Sequence, residues 1–187
     1  MSDKRQTAAI IGGGVIGSGW ATRFLLNGWD VRFFDPSADA EHILHAVIER
    51  GREAMPALCD VVPEEGNLYI ASSTADAVEG ALYIQESTPE RIEVKQAVLK
   101  SIQESCDANA IVASSTSGFM PSELQEGALR PEQIIVSHPY NPVYLLPLVE
   151  VVASPAVAVE VTQRASCLLY TSPSPRDVEE SRMPSSA

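Results

Sequence analysis

A histidine and a glutamate, His138 and Glu150, stand twelve positions apart in "SHPYNPVYLLPLVEVV", a largely apolar run broken by three prolines and one asparagine, Asn141. A histidine whose ring is oriented by a carboxylate is a good general base near neutral pH, because the carboxylate fixes the tautomer and stabilises the imidazolium formed on proton uptake. Oxidation of an alcohol needs such a base. Glu150 sits in a segment whose composition asks for burial, and a lone buried carboxylate is costly without a partner. The two polar groups are therefore expected to pair, with Pro139 and Pro142 fixing the loop that follows the histidine.

An oxidation also needs a hydride acceptor, and the N-terminal residues offer a place for one. Gly12, Gly14 and Gly17 form G-x-G-x-x-G, with Gly13, Val15 and Ile16 between them, directly after an apolar strand and at the start of a helical pattern. Bare backbone at such a turn lets a pyrophosphate approach helix N-terminal N–H groups. Asp35 follows Gly17 by eighteen positions, at the end of the next strand, where a carboxylate accepts hydrogen bonds from adenosine ribose hydroxyls and repels a 2′-phosphate. NAD is thus expected, rather than NADP or FAD. "SSTSG", from Ser114 to Gly118, supplies hydroxyls after another strand and is either a substrate contact or a polar turn. His42 and His45, beside Glu41 and Glu49, lack a third convergent ligand and read as a polar helix face, so no metal is expected.

These groups need a scaffold that brings distant segments to one edge. Strands are expected at Thr7 to Ile11, Val31 to Phe34, Leu68 to Ala71, Leu82 to Gln85, Ile111 to Ala113, Ile134 to Ser137 and Leu148 to Val152. Helices are expected at about Val15 to Leu26, Asp39 to Glu53 and Glu90 to Glu104, and a loop from Met55 to Asn67. Short apolar strands alternating with helices imply an α/β fold with a mostly parallel, doubly wound sheet. His138 then falls just past a strand, at the carboxyl edge where ligands bind in open α/β sheets.

Length and charge narrow the class. A chain of 187 residues with 45% hydrophobic content supports one domain. Its 25 acidic against 13 basic residues, net −12, disfavour nucleic acid and anionic membranes and favour a small-molecule substrate. Cys59, Cys106 and Cys167 are odd in number and widely spaced, which fits a reducing cytoplasm rather than a disulfide framework. The start of the chain carries no signal-peptide pattern, and the apolar stretch from Val143 to Val159 is too interrupted to span a membrane.

Taken together, "IIGGGVIGSGWA", "QESTPER", "SSTSG" and "HPYNPVYLLPLVEV" resemble the 3-hydroxyacyl-CoA dehydrogenase family over about Thr7 to Ser166, and lie nearest to its bacterial L-carnitine-oxidising branch. The resemblance implies a Rossmann-type NAD-binding domain over residues 1–166, with His138 as catalytic base and Glu150 as its partner. It places Ser117 and Asn141 at the substrate and nicotinamide, and Glu86 and Arg91 among the cofactor contacts. Acyl-CoA members usually carry asparagine where Arg91 and Ser115 stand, and lysines that contact CoA between positions equivalent to Pro36 and Arg52. Their absence here favours a carnitine-like 3-hydroxy acid over an acyl-CoA. For carnitine, Arg91, Tyr140 or Tyr144 would meet the carboxylate or the quaternary ammonium. A non-catalytic relative of the lens-crystallin kind is the alternative.

Family members continue into an all-helical domain that forms a homodimer and closes the cleft. Here the segment from Thr171, "TSPSPRDVEESRMPSSA", is serine- and proline-rich and cannot bury a core, and residues 167–187, starting at "CLLY", are expected to be a disordered tail foreign to the natural protein.

Overall fold

Ala8 and Ile10 face one side of the first strand and Ala9 and Ile11 the other, and all four are buried. A strand buried on both faces needs cover on both. The computed structural model, which describes residues 5–170, supplies that cover with helices. The elements run β1 (Thr7–Ile11), α1 (Val15–Leu26), β2 (Asp30–Phe34), α2 (Ala40–Leu58), β3 (Leu68–Ile70), α3 (Thr74–Val78), β4 (Tyr83–Glu86), α4 (Ile92–Ser105), β5 (Ile111–Ser114), α5 (Pro121–Leu124), β6 (Ile134–Pro139), β7 (Val149–Val152) and α6 (Val159–Tyr170).

One sheet holds the seven strands in the order β3-β2-β1-β4-β5-β6-β7. The first six are parallel, and β7 runs antiparallel to β6. This is the doubly wound Rossmann arrangement expected from the alternating pattern. On one face Trp20 and Phe24 of α1, Leu44 and Ile48 of α2 and Ala165 of α6 join Ala8, Ile10 and Phe33 in a single core. On the other, Val78 of α3, Leu99 and Ile102 of α4 and Leu124 of α5 join Ala9, Ile11 and Val112. Strand order reverses between β1 and β4, so their carboxyl ends open a crevice at the edge where the glycine turn lies.

Three expectations are corrected. The second helix does not stop near Glu53 but continues to Leu58 with Pro56 inside it. A proline in the last turn forfeits only one backbone bond, and the Cys59 N–H still reaches the Met55 carbonyl at 3.0 Å. His138 lies within β6, not past it. Helix α6 runs through Ser166 and Cys167 to Tyr170, so four residues of the expected disordered tail are helical, and the rest lie outside the described residues. Among the described residues, no helix is long and apolar enough to cross a membrane.

Candidate active site

The glycine turn joins β1 to α1. Gly12 has φ +106, a conformation that a side chain would strain, and an added Cβ would fall 2.6 Å from the Ser87 carbonyl. At Gly17 a Cβ would fall 1.8 Å from the Gly12 oxygen. Those two glycines serve the turn itself. Gly14 is different: it is the N-cap residue of α1, it is exposed, and a Cβ there would meet nothing within 4 Å. Nothing among the described residues requires glycine at this position, whereas a phosphate approaching the first N–H groups of α1 would. The adjoining cleft, about 420 Å³, is lined by Gly13, Gly14, Val15, Ile16 and Asp35, with Ser87 to Pro89 opposite. Asp35 accepts the Gly13 N–H at 2.6 Å through Oδ2 and the Ser37 N–H at 2.7 Å through Oδ1. A carboxylate so held still has lone pairs for ribose hydroxyls.

The twelve-residue spacing of His138 and Glu150 has a structural reason. The antiparallel register of β6 and β7 places them directly opposite each other, where cross-strand side chains meet. His138 Nδ1 lies 2.9 Å from Glu150 Oε2. A carboxylate only accepts, so in the neutral imidazole Nδ1 carries the proton and Nε2 keeps its lone pair. Tyr140 donates its hydroxyl to Glu150 Oε1 at 3.3 Å, and its ring centroid lies 6.0 Å from that of His138. The expectation that Glu150 would be buried is corrected, because its side chain is 55% exposed. β7 is the edge strand of the sheet, and its residues alternate between half-buried and exposed.

Ser117 and Asn141 are both exposed on the segments that leave β5 and β6 at this edge, and the Asn141–Pro142 bond is cis. The loop carrying Ser117 is held by a residue whose role sequence reasoning missed. Glu90 Oε1 accepts the Thr116 hydroxyl and the Ser117 and Gly118 N–H groups, the last two at 3.1 Å. Burial pushes the Glu90 carboxyl upward, but the Thr116 hydroxyl, the Gly118 N–H and the Lys95 ammonium outweigh it and hold the group below the usual carboxylate range. Lys95 lies 3.2 Å from Glu90 Oε2 and 3.1 Å from Glu86 Oε1.

Glu86 itself is fully buried, with its carboxylate accepting from Lys95, Thr88 and Ser114. Arg91 is exposed at the N-cap of α4. A signal for the Lys95 cluster was present. Ile92, Lys95, Leu99 and Ile102 follow helical spacing, so Lys95 occupies the inward stripe of α4 and must bring a partner with it. His45 pairs with Glu41 at 3.7 Å, and no group of three metal-ligating side chains occurs among the described residues.

Comparison with known proteins agrees with this fold. Residues 7–171 match the family model described as 3-hydroxyacyl-CoA dehydrogenase, NAD binding domain. The L-carnitine dehydrogenase/betainyl-CoA thioesterase of Ruegeria pomeroyi is 59% identical over 160 residues, 85% of this chain and 33% of that protein. The L-carnitine dehydrogenase of Oceanobacillus iheyensis is 46% identical over 162 residues, 86% of this chain and 53% of that protein. The chain thus spans about a third of the first relative's length and about half of the second's. Among solved structures, an NAD+-dependent dismutase, FHMPC 5-dehydrogenase, superposes with a TM-score of 0.84 at 28% identity, covering 91% of this chain and 56% of that one.

Proposed function

This chain belongs to the 3-hydroxyacyl-CoA dehydrogenase family and carries its NAD-binding domain, and on that premise we propose that the full-length protein oxidises the C3 hydroxyl of L-carnitine to the ketone of 3-dehydrocarnitine. NAD, when bound, supplies the acceptor for the hydride leaving C3. The residues that would hold it are the turn from Gly12 to Gly17, including Val15 and Ile16, with Asp35 for the ribose hydroxyls. Their fit is supported by the open Cβ position at Gly14.

The observation that carries the reading is the His138–Glu150 pair at 2.9 Å on the same sheet edge as that turn. His138 Nε2 takes the hydroxyl proton of the substrate. Glu150 keeps the ring in the tautomer that leaves Nε2 free and offsets the positive charge that forms on it. Ser117 and Asn141, exposed at this edge, orient the hydroxyl and its neighbours. Tyr140, 40% exposed and beside His138, is the aromatic face best placed for a quaternary ammonium. Tyr144 is half-buried and lies against α2 at Gly51.

L-carnitine is preferred to a 3-hydroxyacyl-CoA because relatives named for carnitine are 46% and 59% identical to this chain. NADH formation with L-carnitine and with 3-hydroxybutyryl-CoA separates the two. Faster turnover of the thioester, or of neither compound, would overturn the proposal. Exposed Leu146, Leu148 and Val152 around Glu150 support a covering element over the site, as in a homodimer with a further domain. Free Cys59, Cys106 and Cys167 support a cytoplasmic location.

A further inference from the structure

Gln85 lies in the middle of the sheet, on β4, with no exposed surface, among side chains that are otherwise mostly apolar. A buried amide persists only where its donors and acceptor are met. Its Oε1 accepts the Tyr83 hydroxyl at 2.7 Å. Its Nε2 donates to Ser115 Oγ at 2.8 Å and to the Ser137 carbonyl at 3.3 Å. The Ser137 carbonyl can only accept, which fixes the end of the amide that carries nitrogen. Burial raises the pKa of the Tyr83 phenol far above its ordinary value, so that hydroxyl stays a donor.

Two of these partners lie in separate parts of the site, and one of them leads on to a third. Ser137 directly precedes His138 in β6. Ser115 stands two residues before Ser117 in the loop after β5. Ser115 Oγ in turn lies 2.8 Å from Ser87 Oγ, and the Ser87 N–H donates to the Ile11 carbonyl at 2.7 Å, at the start of the glycine turn. Ser87 also backs directly onto Gly12 and Gly17. The reach across β5 is possible because the residue in register with Gln85 is Ala113, whose methyl group leaves room. The β5–β6 pairing ends at Ser114 and Val136, so Gln85 adds a polar link just beyond the end of that ladder.

We propose that Gln85 is a positioning residue that sets the base strand, the Ser117 loop and the dinucleotide turn at a fixed separation, so that the cofactor, hydroxyl and base meet in register. The effect on turnover rests on the function proposed above, whereas the mechanical coupling of turn to loop does not.

The test uses Gln85→Met, which keeps length and loses the polar contacts. Hydrogen–deuterium exchange is followed at residues 12–17 and 115–118 with and without NAD. In the wild-type protein NAD protects both segments, and in the variant protection stays at the turn and is lost at the loop. In the full-length protein kcat for L-carnitine falls by about 10- to 100-fold, KM for NAD stays within about threefold, and the isotope effect with C3-deuterated substrate rises. Loss of fold alone would not raise the isotope effect. Equal protection of the loop in variant and wild type, with unchanged kcat, overturns the proposal. No protection of the wild-type turn by NAD would instead sink the cofactor assignment. Should Gln85→Met fail to fold, Ser115→Ala cuts the same chain at a half-buried position and must give the same split.

Discussion

Replacing Glu90 by glutamine tests whether the Ser117 loop is held by charge. The carboxylate accepts one hydroxyl and two N–H groups from that loop and faces Lys95 at 3.2 Å. Hydrogen bonds to a charged group contribute about 1.5–3 kcal/mol each and neutral ones about 1, so making three such bonds neutral would lose about 1.5–6 kcal/mol if fully buried. The side chain is 43% exposed, and solvent screening reduces the expected loss to about 1–2 kcal/mol. Lys95 keeps Glu86 and the Thr88 carbonyl in the variant, so no buried ammonium is orphaned. The pH dependence has a definite sign. Glu90 is held below the usual carboxylate range in the folded protein. Its contribution is therefore fully present above the unfolded value of about 4.3 and is lost as pH falls through the lowered folded value. Urea titrations of wild type and Glu90→Gln from neutral to acid pH check this. A stability difference that is absent at neutral pH, or that grows on acidification, would refute the charge clamp.

Gly14→Ala should leave stability within about 0.5 kcal/mol, because its Cβ meets no atom of the described residues within 4 Å. The same variant should weaken NAD binding at least about tenfold, measured by calorimetry, since the methyl group fills the phosphate approach. Gly17→Ala should prevent folding, as its Cβ would overlap the Gly12 oxygen; circular dichroism reports it. Lys95→Met should destabilise by about 3 kcal/mol, because it leaves the fully buried Glu86 carboxylate without its cation. Adding Glu86→Gln should recover most of that loss in the same denaturation assay.

The strands and their order of use were legible because each is an apolar run between turn signals, and the glycine turn announced the first crossover. The short helices were not anticipated. α3 spans only Thr74–Val78, although Ser73, which caps the Asp76 N–H at 3.1 Å, was a visible start signal. In the site, His138 and Glu150 could be named from their isolation in an apolar run. Their direct opposition could not, since it depends on β7 turning back antiparallel after a loop whose length does not dictate register. For the same reason Glu150 was expected inside and lies on an open edge. Glu90 and Gln85 were beyond reach for a different cause: the partners that tie them to the site, Thr116 to Gly118 for Glu90 and Ser115 and Ser137 for Gln85, stand 26 to 52 positions away along the chain and are set by packing of the finished sheet.

The most direct measurement is the initial rate of NADH formation from L-carnitine by the full-length protein and by its His138→Asn variant, with NAD affinity determined for both. With His138 as the base, the wild type turns over, and the variant loses about 10²- to 10⁴-fold in kcat while binding NAD within about threefold of the wild type. Undiminished turnover in the variant would contradict the assignment of His138, and with it the role given to Glu150.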